Sequence, residues 1–212
     1  METKMEHVAL NKQLKLSPHF TLGELCKTSV NSLDGNIPSR VAVENLKRVC
    51  EWLEELRRRY NERYVFEEGG RFFEEGGRFF EEGGRRKEEG EYFKGREEGG
   101  VRSENREEAE EAEETEEAEE PIVITSGYRS PEVNRAVGGS PTSNHLTGCA
   151  VDIRCAGIEQ ALRYAVILMD YADESRQDYD ELLIERNKSG RYWVHLAVRP
   201  KGNRRKPMFL QK

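Results

Sequence analysis

The chain holds four histidines, and one of them, in the stretch SNHLTGCAVD, is followed seven positions later by an aspartate: His145 and Asp152. A neutral imidazole nitrogen and a carboxylate oxygen both bind zinc at about 2.0 Å, and Gly148 between them frees the backbone to turn. A third arm is available in RYWVHLAV. There the period of two along a strand puts Trp193, His195 and Ala197 on one face. Two histidines and one carboxylate leave a fourth position for water, which is the coordination of a catalytic site, whereas structural sites are closed by four protein ligands. Spacing alone fits a second reading equally well: a turn entering a strand at Asp152, and a strand histidine packed beside Trp193. Cys149 and Cys155 flank Asp152 and offer soft ligands of their own, but the simpler reading of that pair is a small residue at each end of a strand.

These side chains need rigid elements to carry them. Thr21 with Glu24 three residues later forms a capping box that opens a short helix in FTLGEL. In IPSRVAVENLKRVCEWLEELRRRY, Val43, Leu46, Val49, Cys50, Leu53 and Leu56 recur at helical spacing, which predicts a long core helix under a charged face. PIVITSGYRS reads as a β-branched strand ending in a turn at Ser126 and Gly127. Ser130 and Pro131 then form a cap and first-turn pair for a helix that Gly138 and Gly139 end. CAVDI starts a strand that would hold Asp152. Ile158, Leu162, Ala165, Val166 and Met169 predict a second amphipathic core helix. YDELLIER and RYWVHLAV, separated by NKSG, read as a hairpin, and KPMFLQ as an edge strand. The fold class is α+β, a mostly antiparallel sheet packed on helices.

Charge is uneven along the chain. Residues 66–120 hold 22 acidic and nine basic residues, a net of −13, so the remainder carries +6 of the overall −7. That segment repeats FEEGGRF at a period of seven, but paired glycines cost roughly 2 kcal/mol of helix propensity per repeat and exclude a coiled coil. With ten glycines and little apolar content, 66–120 is expected to be a disordered acidic low-complexity insertion, with Glu107 to Glu120 partly helical. Residues 1–65 and 121–212 are then one domain of comfortable size. Net charge disfavours nucleic-acid binding, although RPKGNRRKP could touch phosphates or acidic wall polymers. No apolar run is long enough to span a bilayer, and METKMEHVALNKQLKLSPHF lacks the features of a secretory signal, so a cytoplasmic chain with reduced cysteines is expected.

The pattern SGYRS…SNHLTGCAVD…WVHLAV resembles the zinc D-alanyl-D-alanine carboxypeptidase family, which shares the hedgehog/DD-peptidase fold. Its Ser-x-His-x-x-Gly-x-Ala-x-Asp signature is met in register by Ser143, His145, Gly148, Ala150 and Asp152. The likeness extends to HFTLGELCKTS, to Asn36 to Pro38 and to NRRKPM, and the acidic insertion falls where the family has a short connection.

The resemblance implies zinc held by His145, Asp152 and His195. It makes Arg129 the arginine that contacts substrate or stabilises the oxyanion, with a structural salt bridge as the alternative, and it makes Ser143 a substrate-side or turn-capping hydroxyl. Many relatives carry a glutamate three residues before the last histidine as general base, and another branch a histidine two before. Those positions here are Tyr192 and Trp193. Glu185 is the expected base instead, with Asp180 as runner-up and a solvated position at the start of the strand as its alternative role. The implied function is a zinc-dependent peptidase acting on D-amino-acid-containing peptides of bacterial peptidoglycan, as carboxypeptidase or endopeptidase; a monomer is expected, and release by lysis or a true N-terminus not included in this sequence are the two routes to the wall. The rivals are a zinc-containing binding module of the same fold that has lost its base, and an acidic insertion that is itself the functional part.

Overall fold

A computed structural model describes residues 11–66 and 119–211. In chain order it contains α1 (Leu22–Leu25), α2 (Arg40–Tyr60), β1 (Ile124–Ser126), α3 (Pro131–Ala136), β2 (Ala150–Cys155), α4 (Ile158–Ser175), β3 (Glu181–Arg186), β4 (Tyr192–Ala197) and β5 (Lys206–Gln211). The five strands form one sheet in the order β1-β2-β4-β3-β5. Pairings β1/β2, β2/β4 and β3/β4 are antiparallel, while β5 lies parallel to β3 at the edge. The expected α+β class with a mostly antiparallel sheet, the β3/β4 hairpin and the edge strand are all present.

Local chemistry accounts for the element boundaries. Thr21 and Glu24 satisfy each other's backbone donors at α1, as a capping box requires. Ser39 caps α2 through the amide of Ala42, and Ser130 caps α3 through Val133, with Pro131 in the first turn. Beyond Tyr60 the chain widens into one π-helical turn, Asn61–Phe66. The expected insertion lies almost wholly outside the described residues, but its two flanks meet. The buried Asn61 side chain donates to the Glu120 carbonyl at 3.1 Å and accepts from the Glu120 amide at 2.6 Å.

Register sorts the sheet into two faces. Asp152 lies opposite His195, which lies opposite Leu183 on the other side. Alternation therefore gives one face Val151, Ile153 and Cys155 from β2, Val194 and Leu196 from β4, and Leu182 and Ile184 from β3. All are buried, and they join the core with Leu46, Val49, Trp52, Leu53 and Leu56 of α2. Trp52 anchors that layer, edge-on to Tyr171 and Tyr179 at centroid separations of 4.9 and 6.3 Å. The stripe expected on α2 is the one observed.

Of the stripe expected on α4, only Ala165 is buried in the core. Ala161, Tyr164, Ala165, Ile167, Leu168 and Ala172 face the core, whereas Ile158, Leu162 and Val166 are exposed and Met169 is only partly buried. Two apolar rows run along this helix, and periodicity cannot choose between them. The row with small residues wins because alanines allow α4 to approach the sheet closely, while the bulk there is supplied by Tyr164, Ile167 and Leu168.

Candidate metal centre

The opposite face of the sheet carries the chemistry. Ala150, Asp152 and Arg154 on β2, Trp193, His195 and Ala197 on β4, and Glu181, Leu183 and Glu185 on β3 share it by register. Asp152 and His195 are direct cross-strand neighbours, so the sheet itself fixes two of the three expected ligands.

His145 arrives from outside the sheet, on a 3-10 turn, Asn144–Thr147, that precedes β2. Ser143 caps that turn through the His145 amide at 3.3 Å, the second of the two roles weighed for it. Gly148 ends the turn in the left-handed region at φ 71, and a Cβ there would sit 2.4 Å from the Ala42 carbonyl oxygen. Glycine is therefore required twice over, by conformation and by the closeness of α2. Asn45 of α2 adds a hydrogen bond to the Thr147 carbonyl at 2.8 Å.

The SGYRS loop supplies the rest of the frame. A Cβ on Gly127 would lie 2.2 Å from the Leu25 carbonyl oxygen, so this loop presses against α1 as only glycine allows. The Gly127 carbonyl accepts from His145 Nδ1 at 2.6 Å. With its proton held on Nδ1, His145 turns a lone pair on Nε2 towards Asp152 and His195. Buried Asn36 ties the loop down, donating to the carbonyls of Cys26 and Tyr128 and accepting from the Ser130 amide.

The three side chains converge. His145 Nε2 lies 3.2 Å from His195 Nδ1 and 3.3 Å from Asp152 Oδ1, and His195 Nδ1 lies 2.8 Å from Asp152 Oδ1. Ligands bound tetrahedrally at 2.0–2.1 Å sit roughly 3.3 Å from one another, so a zinc ion fits this triangle with little adjustment. Among the described residues this is the one group of three or more candidate ligands close enough to share an ion. The donor set, two imidazoles and a carboxylate, suits zinc. Cys149 and Cys155 are outside it. Burial pushes the Cys155 thiol up to about 12, and its side chain lies on the core face, so it is a packed thiol and not a ligand.

Electrostatics agree with a cation site. Burial alone would raise the Asp152 carboxyl, but His145 and His195 hold it well below the usual range. Burial alone would lower His195, but hydrogen bonding to Asp152, and the charges of Glu181 and Glu185, raise it to about 9. Arg129 donates through Nη2 to the second carboxylate oxygen, Oδ2, and through Nε to Ser126 Oγ at 2.8 Å. In this arrangement the guanidinium is the structural salt bridge weighed as its alternative role, and it leaves Oδ1 to face the histidines.

The candidate bases separate clearly. Asp180 is fully buried and bound by Arg204 through Nε and Nη2, at 2.8 and 2.7 Å, and by Asn144 at 2.8 Å. Burial opposes its charge, yet Arg204 and Asn144 keep its carboxyl low. It is an ion-pair anchor, neither solvated nor open to a substrate. Glu185 is buried on the site face, two positions along β3 from Leu183, the residue opposite His195. Glu181 lies two positions the other way, with Oε2 3.8 Å from His195 Nε2. The His195 imidazole draws the Glu181 carboxyl down to about 2, although 3.8 Å is ion-pair spacing and longer than a hydrogen bond. Sequence reading passed over Glu181. Glu185 was expected from the family resemblance, whereas the period of two along this strand would have found Glu181, since positions 181, 183 and 185 share a face.

A family model described as Peptidase M15 matches residues 94–180. The matched stretch contains Arg129, His145 and Asp152 and stops short of His195, which the sheet register then brings to the other two. No curated protein matches the chain. Over the matched stretch, less than half of the chain, the protein is similar to the Peptidase M15 metallopeptidases, and the cluster of His145, Asp152 and His195 is of a kind that could hold their metal.

Proposed function

We propose that this domain is a zinc-dependent peptidase that cleaves a D-amino-acid-containing bond in peptides of bacterial peptidoglycan. One observation carries the reading: His145 Nε2, Asp152 Oδ1 and His195 Nδ1 form a buried triangle of ligand atoms, all within 4.8 Å of one another, on the polar face of the sheet. Zinc held there would supply Lewis acidity towards a carbonyl and bring the pKa of a water near roughly 7.

The chain's own residues have separable tasks. His145 and His195 act as neutral ligands, the first with its tautomer set by the Gly127 carbonyl. Asp152 contributes one oxygen, its other being occupied by Arg129. Glu185 is assigned as general base, accepting a proton from the attacking water and returning it to the leaving amine. Its carboxylate is carried by a paired strand, which favours a fixed position over a mobile one. Arg129 and Ser143 lie on the two loops that flank the ligands, where a substrate carboxylate or developing oxyanion would meet a guanidinium. Peptide length is left open by this assignment, so both carboxypeptidase and endopeptidase action on wall peptides fall within it.

The test is product release from purified muropeptides ending in D-alanine, followed by mass spectrometry, using zinc-loaded protein. Loss of a terminal D-alanine identifies a carboxypeptidase, and an internal cut an endopeptidase. Both products should disappear in His145→Ala. In Glu185→Gln, turnover should fall by about 10²- to 10⁴-fold with zinc content retained. Full zinc loading with no turnover on any wall peptide would instead make the domain a binding module.

A further inference from the structure

Glu181 belongs to neither the family signature nor the ligand triangle, yet it occupies a specific place beside it. His195 has two ring nitrogens with opposite surroundings. Nδ1 faces Asp152 Oδ1 at 2.8 Å and His145 Nε2 at 3.2 Å, inside the cluster. Nε2 points out of it, towards Glu181 Oε2 at 3.8 Å.

Glu181 is itself held in place. The Asn144 side-chain amide donates to Oε2 at 3.2 Å, and Arg204 Nη2 and Lys206 Nζ lie 2.9 and 3.6 Å from Oε1. Asn144 is the residue immediately before the ligand His145, so one short segment delivers a ligand and braces the carboxylate beside the other histidine. The strand frame adds to this. Glu181 pairs with Ala197 and Leu183 with His195, which sets Glu181 diagonally across from the ring on the same face. A histidine that ligates a metal through one nitrogen almost always presents the other N–H to a carboxylate or carbonyl, which fixes the ring and raises its basicity. For His145 that partner is the Gly127 carbonyl.

We infer that Glu181 is the positioning residue of His195: it takes the Nε2–H, so that the ring ligates through Nδ1, and the two histidines present different nitrogens to one ion. This rests on the metal-site reading above and deepens it. Glu181 does not touch substrate and is not the proton acceptor for water. Its contribution is the orientation and donor strength of one ligand.

The experiment measures zinc affinity by competition with a chromophoric chelator, together with the visible absorption of the cobalt-substituted full chain, for wild type, Glu181→Gln and Glu181→Ala. Thermal midpoints of the metal-free proteins are recorded alongside. Glu181→Ala should weaken zinc binding by roughly 10- to 100-fold and shift the cobalt bands. The isosteric Glu181→Gln keeps an acceptor oxygen for the ring and the Asn144 bond, so it should recover most of that affinity while still shifting the bands. Should the alanine variant fail to fold, the band shift in Glu181→Gln decides the matter, because a residue that only holds Arg204 and Lys206 would leave the cobalt spectrum unchanged. Wild-type affinity within twofold and an unaltered spectrum in the folded variants would overturn the role of Glu181 alone. A wild-type chain that takes up no zinc would overturn the metal site along with it, and His195→Ala serves as the internal marker of site loss.

Discussion

The two faces of the central strands are made from the same eighteen residues and obey opposite rules. One face buries Val151, Ile153, Leu182, Ile184, Val194 and Leu196 against α2 and α4, and its one charged side chain, Arg186 at the end of β3, lies over the Tyr192 ring. The other collects Asp152, His195, Glu181 and Glu185: Asp152 is paired with Arg129, His195 with Asp152 and Glu181 with Arg204, while Glu185 adds its charge beside His195. The first face needs only volume and apolarity, so many sequences would serve it. The second needs particular atoms at particular distances, and a buried charge that loses its partner is left strongly destabilising. A pleated sheet lets both rules operate three ångströms apart because successive residues never share a face.

That contrast can be broken at its strongest point first. His195→Ala on the polar face should lower the zinc content from one per chain to none and abolish hydrolysis, as read by metal analysis and peptide release. It removes a ligand and leaves Asp152 short of one of its two imidazole partners. Leu196→Ala, one residue along and fully buried on the other face, should cost about 2–5 kcal/mol of stability in denaturant unfolding. Zinc stoichiometry in its folded fraction should be unchanged. If the two variants behaved alike, the division of the sheet would be wrong.

A gentler probe is pH. In the metal-free chain His195 is raised from the ordinary 6.5 to about 9. Its proton therefore stabilises the fold fully below 6.5, and that contribution is lost as pH rises through about 9. Zinc has to displace the proton, so uptake near neutrality should release about one proton per ion and tighten as pH rises. Calorimetry in buffers of different ionisation enthalpy measures this, and zinc uptake without proton release would show that His195 is neutral beforehand. The smallest effect is expected far from either face. Replacing Leu162, which is 50 % exposed on α4, by glutamine should change stability by no more than about 0.5 kcal/mol. A loss of several kcal/mol would mean that the outer row of α4 is covered after all.

Much of this was legible in the sequence where a single local rule decides the outcome. The capping residues Thr21, Ser130 and Pro131, the α2 stripe, the hairpin and the α+β class follow from spacing and residue type, and the convergence of His145, Asp152 and His195 was expected from the family resemblance. The α4 row was misread because two apolar rows compete and only tertiary packing selects the one rich in alanine. Glu181 was overlooked because its meaning depends on which strand lies beside β4, which no single segment states. Asp180 looked like an available acid, and only Arg204, distant in sequence, reveals it as an anchor.

Asn61, at the C-terminal end of α2, holds Glu120 by its backbone. By gripping both the amide and the carbonyl of that residue, it fastens the chain before residue 67 to the chain after residue 118. Polypeptide can then be added or removed between them without pulling on α2 or the sheet, because the flanking residues stay joined to each other. A chain shortened to a brief connector across 67–118 should keep its melting temperature, zinc content and turnover, and would make the staple at Asn61 a natural grafting point for unrelated sequence.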